Sequence, residues 1–174
     1  YAATWIVLLA SLYYPAAAAY TRAGGYRGEA TLDGVAFLRQ SSPSEYRAYE
    51  WVQALGGQGV LVEAPGESYV ASTSRMSAWS GMPTIVGWAG HEVQWRGDSR
   101  EVERRRADVD LIYTLPDRYQ VLALLRQYGA THLYIGPYER EHYQIDASKI
   151  AWFASFLTTK YAEGGVHLFA VPRP

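Results

Sequence analysis

The chain contains no cysteine, which excludes disulfides and thiolate metal sites. It contains no asparagine, so no N-glycosylation acceptor exists. Lysine is almost missing: Lys149 and Lys160 stand among 16 basic residues, the rest being arginine. Scarce Asn, Cys and Met suit a hot habitat. The few lysines fit that less well, and a coding bias toward arginine explains the excess equally well. Against 17 acidic residues the formal net charge is −1, without the basic excess of a nucleic-acid binder. No internal repeat is present, and Ala16–Ala19 is the sole low-complexity tract. What remains is 174 residues, 49% of them hydrophobic, with 15 Tyr and 6 Trp. That is ample apolar material for one core and excludes general disorder.

Charge is also missing from residues 1–21, Arg22 being the first ionisable group of that kind. The opening run YAATWIVLLASLYY ends on Tyr13 and Tyr14 and meets Pro15. A full crossing of a bilayer needs ~20 apolar residues. The run therefore reads as the outer end of a final transmembrane helix begun upstream, its tyrosines at the membrane surface. The other reading is a buried N-terminal helix of a soluble domain. A signal peptide would start with a basic region, which is missing here, although the alanine run mimics a cleavage site. The expected organisation is an apolar helix over 1–21, a Gly- and Arg-rich connector over 22–42 hinged at Gly24-Gly25, and a soluble α/β domain over 43–174.

Within that domain Ser42, Pro43 and Glu45 signal a helix start with a capping box. Ala48, Trp51, Val52 and Leu55 fall on one face, and Gly56-Gly57 ends the helix. GVLVEA (59–64) and PTIVG (83–87) read as short strands, with a polar loop over 66–82. Asp98 and Glu101 open a charged helix. Asp117 starts a clearer one, with Val121, Leu124, Leu125 and Tyr128 on one face and Gly129 at its end. THLYIG (131–136) is a strand, and Ile150, Phe153, Ala154 and Leu157 mark a short helix. The last segment is a β-hairpin turning at Gly164-Gly165. Strands alternating with helices predict an α/β fold with a mostly parallel sheet flanked by helices in Rossmann-like layers. The C-terminal hairpin adds an antiparallel edge.

Several motifs fail on context. Gly56-Gly57-Gln58 matches the release-factor tripeptide but lies between a helix and a buried strand, where glycine serves as a helix stop. It is no dinucleotide fingerprint either, because the order of strand and helix is reversed. His91-Glu92 begins a zincin motif, yet Trp95 stands where the second histidine is needed. His132, His142 and His167 are scattered, and no Gly-x-Ser-x-Gly elbow supports a serine triad. Arg104-Arg105-Arg106 reads as a solvated helix face paired with Glu101, Glu103 and Asp108. Its sharper reading is a phosphate or lipid-headgroup contact.

The richest stretch is WSGMPTIVGWAGHEVQWRG, residues 79–97, read as a long loop after a strand. Trp88 and Trp95 offer flat apolar faces for a sugar ring. His91, Glu92 and Arg96 supply a proton carrier, an acceptor and a bidentate donor. In an open α/β sheet such a loop, past a strand's carboxyl end, is the usual ligand position. The competing reading is a loop with its own Trp mini-core and internal ion pairs.

GWAGHEVQWRG, with DVDLIYT, HLYIGPYERE and GGVHLFAV, resembles the C-terminal region of the YYY-type membrane proteins of bacteria and archaea. The likeness covers most of residues 31–171 and is most specific in Gly90-His91-Glu92 and Gln94-Trp95-Arg96-Gly97. The membrane part of that family is similar to the GT-C glycosyltransferases, which use lipid-phosphate-linked sugars. The resemblance implies an extracytoplasmic C-terminal domain of a membrane protein, helping to bind acceptor or donor and without turnover of its own. Trp88, His91, Glu92, Trp95 and Arg96 would face the membrane-side cleft, with Tyr138, Glu139 and Arg140 completing the wall. No catalytic residue and no cofactor are expected in this piece; a divalent metal would belong to the full-length protein. The implied partners are its own membrane portion, a lipid-phosphate-linked sugar or glycan acceptor, and the membrane surface, not nucleic acid. The alternative is a structural or protein-interaction domain that packs on its membrane portion.

Overall fold

A computed structural model describes residues 1–28 and 31–172 in two compact units, Tyr1–Phe37 and Leu38–Pro174. Glu29 and Ala30 of the expected connector, and Arg173 and Pro174 of the expected domain, lie outside the described residues.

The first unit is built on one helix, α1 (Ala2–Arg22), of 21 residues. It runs through Pro15 instead of stopping there. Proline removes one donor, but Ala16–Ala19 that follow are the strongest helix formers. At 1.5 Å per residue the helix is about 31 Å long, close to the ~30 Å hydrocarbon core of a bilayer. It is long and apolar enough to cross a membrane, and none of its residues is buried. A 3-10 turn at Gly24–Tyr26 follows, and the rings of Tyr20 and Tyr26 meet edge to face at 5.9 Å.

The second unit is α/β. Its strands are β1 (Leu61–Val62), β2 (His132–Ile135), β3 (Thr158–Glu163) and β4 (Val166–Ala170), in the spatial order β1-β2-β4-β3. β1 and β2 pair in parallel, whereas β2–β4 and β4–β3 are antiparallel. The sheet is thus mixed, not mostly parallel. The expected strand at 83–87 makes only isolated parallel bridges, Leu61 to Thr84 and Gly66 to Trp88. The parallel part stays short because the chain leaves the ladder after Val62. The Ala64 N–H donates to the Glu139 carboxylate at 3.0 Å instead of to a neighbouring strand. The hairpin turns at Gly164-Gly165 as expected, both with positive φ, and the β3–β4 register steps past Lys160.

Side chains alternate across the sheet and so sort the helices into two layers. Val62, Leu133, Ile135 and Phe169 share a buried cluster with Val102, Val109, Ile112 and Tyr113 of α6 (Arg100–Thr114), Val121 and Leu125 of α7 (Arg118–Gln127), and Phe153 of α9 (Ala147–Ala154). Leu61, Tyr134 and Leu168 carry the opposite parity and face α3 (Pro43–Gln53), where Tyr134 bonds Glu45 and His132 meets Trp51. Asp117 caps α7 by accepting from the Tyr119 N–H at 2.8 Å. Ser42 makes no such cap on α3; its hydroxyl donates to Glu45 at 2.6 Å.

Three short helices complete the unit: α2 (Leu38–Ser41), α4 (Arg75–Ser80) and α8 (Pro137–His142). Within the stretch read as a long loop at 79–97, a helix forms instead, α5 (Ala89–Arg96). Glu92 explains this, since its carboxylate reaches back to accept the Gly87 N–H at 2.8 Å and closes the first turn.

Candidate functional site

A cleft of about 210 Å³ lies where α5 begins, lined by Ser74, Ser77, Ala78, Gly87, Trp88, His91 and Glu92. Trp88 precedes α5 and is fixed by its indole N–H, which donates to the Thr73 carbonyl at 3.2 Å. The His91 ring lies 5.3 Å from that of Trp88. Glu92 divides its oxygens, one accepting from Gly87 and the other pairing with Arg96 at 3.3 Å. Trp95 points away from the core and is 85% exposed.

Segment 66–74 rides against this helix. A Cβ on Gly90 would stand 2.8 Å from the Ser68 hydroxyl, so glycine permits the close approach. Tyr69 is 81% exposed and still packs edge-on against His91 at 4.7 Å. Tyr69 and Ser74 hold φ of 68° and 49°. Non-glycine residues pay strain in this left-handed region, and such residues gather at ligand clamps and switches.

The remaining predicted residues belong to a different place. Tyr138, Glu139 and Arg140 are successive residues of α8, the short helix that follows β2. Tyr138 stacks on His142 at 5.4 Å and lines a second cleft, of about 450 Å³, with Ser72, Arg75, Pro137 and Glu141. Arg140 donates to the Gly165 carbonyl at 3.3 Å. Glu139 turns inward and is 3% exposed, with its oxygens accepting from Ala64 at 3.0 Å and Gly136 at 2.9 Å. Burial, with Glu63 nearby, pushes its pKa up to about 7 despite those donors. The structure therefore brings Trp88, His91 and Glu92 together and places Tyr138 in another cleft. Ser72 and Arg75 line one side of the intervening segment; Ser74, Ser77 and Ala78 line the other.

Two further carboxylates are buried: Glu63, which the sequence reading does not single out, and Glu45, which it marks only as a helix-capping residue. Glu63, at the end of β1, accepts the N–H groups of Met76 and Ser77, both at 2.9 Å, and burial raises its pKa. Glu45 accepts from the Tyr134 hydroxyl at 2.9 Å and from Ser42, and pairs with Arg75. The available signal was Glu63 itself, a charge inside the apolar run GVLVEA. Among the described residues, no three or more His, Asp or Glu gather in an arrangement that could hold a metal ion.

The molecule so defined is an α/β unit whose chain also carries a helix able to span a membrane. No protein-family model matches it, and no curated protein does. It is similar to the C-terminal globular domain of oligosaccharyltransferase from Archaeoglobus fulgidus, known from a crystal structure, at a TM-score of 0.42 and 10% identity. The match covers 83% of this chain and all of that one.

Proposed function

We propose that this chain is the extracytoplasmic C-terminal part of a membrane glycosyltransferase-like protein, related to the YYY-type proteins, and that its α/β unit helps to bind the acceptor or the lipid-phosphate-linked sugar. The observation that carries this reading is the cleft at α5. Trp88 and His91 give it aromatic faces, while Glu92, Ser74 and Ser77 give it hydrogen-bonding groups. Ring stacking with a few placed polar groups suits recognition of a small polyhydroxylated ligand. The cations nearby are paired, Arg96 with Glu92 and Arg75 with Glu45. That balance favours the hydroxyls of a glycan acceptor over a phosphate. The α1 helix supports attachment to a membrane. In this reading the reacting groups, and any divalent metal, belong to the membrane portion.

The alternative, a domain that packs on its own membrane portion, draws support from Glu92 and Trp88, whose hydrogen bonds are made within the unit. Titration of the full chain in detergent with a neutral oligosaccharide and with a short-chain polyprenyl phosphate separates the readings. We expect saturable binding of at least one probe, weakened about tenfold or more by Trp88→Ala and by His91→Ala and unchanged by Lys149→Ala. Binding of neither probe, or binding untouched by both cleft variants, refutes the ligand-binding role.

A further inference from the structure

α8 follows the last residue of β2, and a different cleft opens where that strand begins. There α7 stops, Gly129 turns the chain with a φ of 60°, and β4 runs out at Ala170. The space between them is about 470 Å³, against about 210 Å³ at α5. Its walls are small and apolar, from Ala130, Ala170, Val171 and Pro172. The backbone donors along them are already engaged. The Thr131 N–H donates to the Val60 carbonyl and the Val171 N–H to the Thr131 carbonyl, both at 2.9 Å. The Ala130 N–H donates to the Leu125 carbonyl at 2.8 Å, and the Thr131 hydroxyl to that of Val60 at 3.1 Å. Polar contacts to a ligand must therefore come from the two remaining polar side chains of the lining, Arg126 and His132.

Both are basic, and no carboxylate lines this cleft. The clefts of Trp88 and Tyr138 differ, since Glu92 and Glu141 line them. Arg75, Arg96, Arg104 and Arg106 are each paired with a carboxylate. The Arg126 guanidinium makes no hydrogen bond or ion pair among the described residues. His132 has Nδ1 3.0 Å from the Thr131 hydroxyl, while its Nε2 has no hydrogen-bond partner among the described residues. Lys160, at the step in β3, acts on the same ring with its positive charge, and no carboxylate among the described residues opposes it. An uncompensated guanidinium beside a second basic group attracts an anion. Apolar walls of this extent favour an anion that also carries hydrocarbon, because a bare phosphate would leave them in water.

We propose that this cleft binds an amphiphilic anion, with Arg126 holding its acidic head and Ala130, Ala170 and Val171 packing on its hydrocarbon. The site goes beyond the reading of the α5 cleft and shares no lining residue with it.

Titration of the full chain in nonionic detergent micelles with butyl phosphate, inorganic phosphate and butanol tests it, read at the amide resonances of Gly129, Thr131 and His132. Butyl phosphate should shift them saturably, and bind about tenfold or more tighter than either of the other probes. Arg126 is exposed, so Arg126→Gln keeps the fold; it should weaken butyl phosphate about tenfold or more. Trp88→Ala should leave this binding unchanged, so this site and the α5 cleft can fail separately. Micelles doped with phosphatidic acid distinguish the sources of such an anion. Shifts at the same amides, lost in Arg126→Gln, identify a membrane lipid; shifts with butyl phosphate alone identify a soluble ligand, and either upholds the site. No saturable shift at these amides with butyl phosphate, equal affinity for inorganic phosphate or butanol, or binding unaltered by Arg126→Gln overturns the proposal.

Discussion

Replacing Gly136 by alanine isolates the effect of space from that of backbone conformation. Its φ of −109° and ψ of −167° suit any residue, so no conformational penalty arises. A Cβ there would lie 2.2 Å from the Tyr134 hydroxyl oxygen, 2.6 Å from Cζ and 2.7 Å from Cε1. Comfortable contact begins near ~3.5 Å, so the ring must retreat by about 1 Å. It has little room to do so, being 1% exposed, held by its backbone in β2 and tied through its hydroxyl to Glu45 at 2.9 Å. Overpacking of this kind costs about 3 kcal/mol. Tyr134→Phe removes the nearest atom but deprives Glu45 of a donor, at a cost of about 2 kcal/mol. Because the lost hydroxyl is the one in conflict with Cβ, the double variant should be more stable than the two single losses combined, by about 1 kcal/mol. Urea unfolding followed by circular dichroism reads all four proteins, with shifted midpoints and an unchanged slope. A Gly136→Ala protein within about 0.5 kcal/mol of the native one, or strict additivity in the cycle, refutes the reasoning.

Stability should fall between pH 5 and 7.5. Glu139 is raised from 4.5 to about 7 in the folded protein, so the folded state binds the additional proton across that window. Its stabilisation is complete below the unfolded value and is lost as pH rises through the folded one, at 1.36 kcal/mol per unit and about 3 kcal/mol in all. A urea midpoint independent of pH from 5 to 7.5 contradicts this. Gly90→Ala should push Ser68 off the first turn of α5 and draw Tyr69 away from His91. The expected signs are a displaced His91 ring resonance and a loss of about 1 kcal/mol; an unmoved resonance argues against the packing.

The elements legible in the sequence are those with local chemistry. Pro43 opens α3 and Asp117 caps α7 through nearest neighbours, and the turn glycines mark the hairpin. Tertiary bonds set the rest. α4 lies in a polar stretch whose helix depends on Glu63, and α5 survives Gly90 in its first turn through the reach of Glu92 to Gly87. The parallel sheet stops short where Glu139 captures the Ala64 amide, a bond across 75 residues that no local pattern announces. Trp88, His91 and Glu92 are neighbours in sequence and remain neighbours in space. Tyr138, Glu139 and Arg140 diverge because consecutive helical residues lie about 100° apart, so one turn sends them to a cleft, the interior and the hairpin.

The register step at Lys160 reaches beyond the hairpin itself. β3 is the last strand of the sheet and is largely exposed along its length. An uninterrupted border of that kind invites a neighbouring copy to add its own strand and grow into a fibre. The additional residue twists the border and breaks its spacing, and a cationic side chain at the break repels an identical approaching edge. Wherever two such borders meet, that irregularity disfavours growth by strand addition.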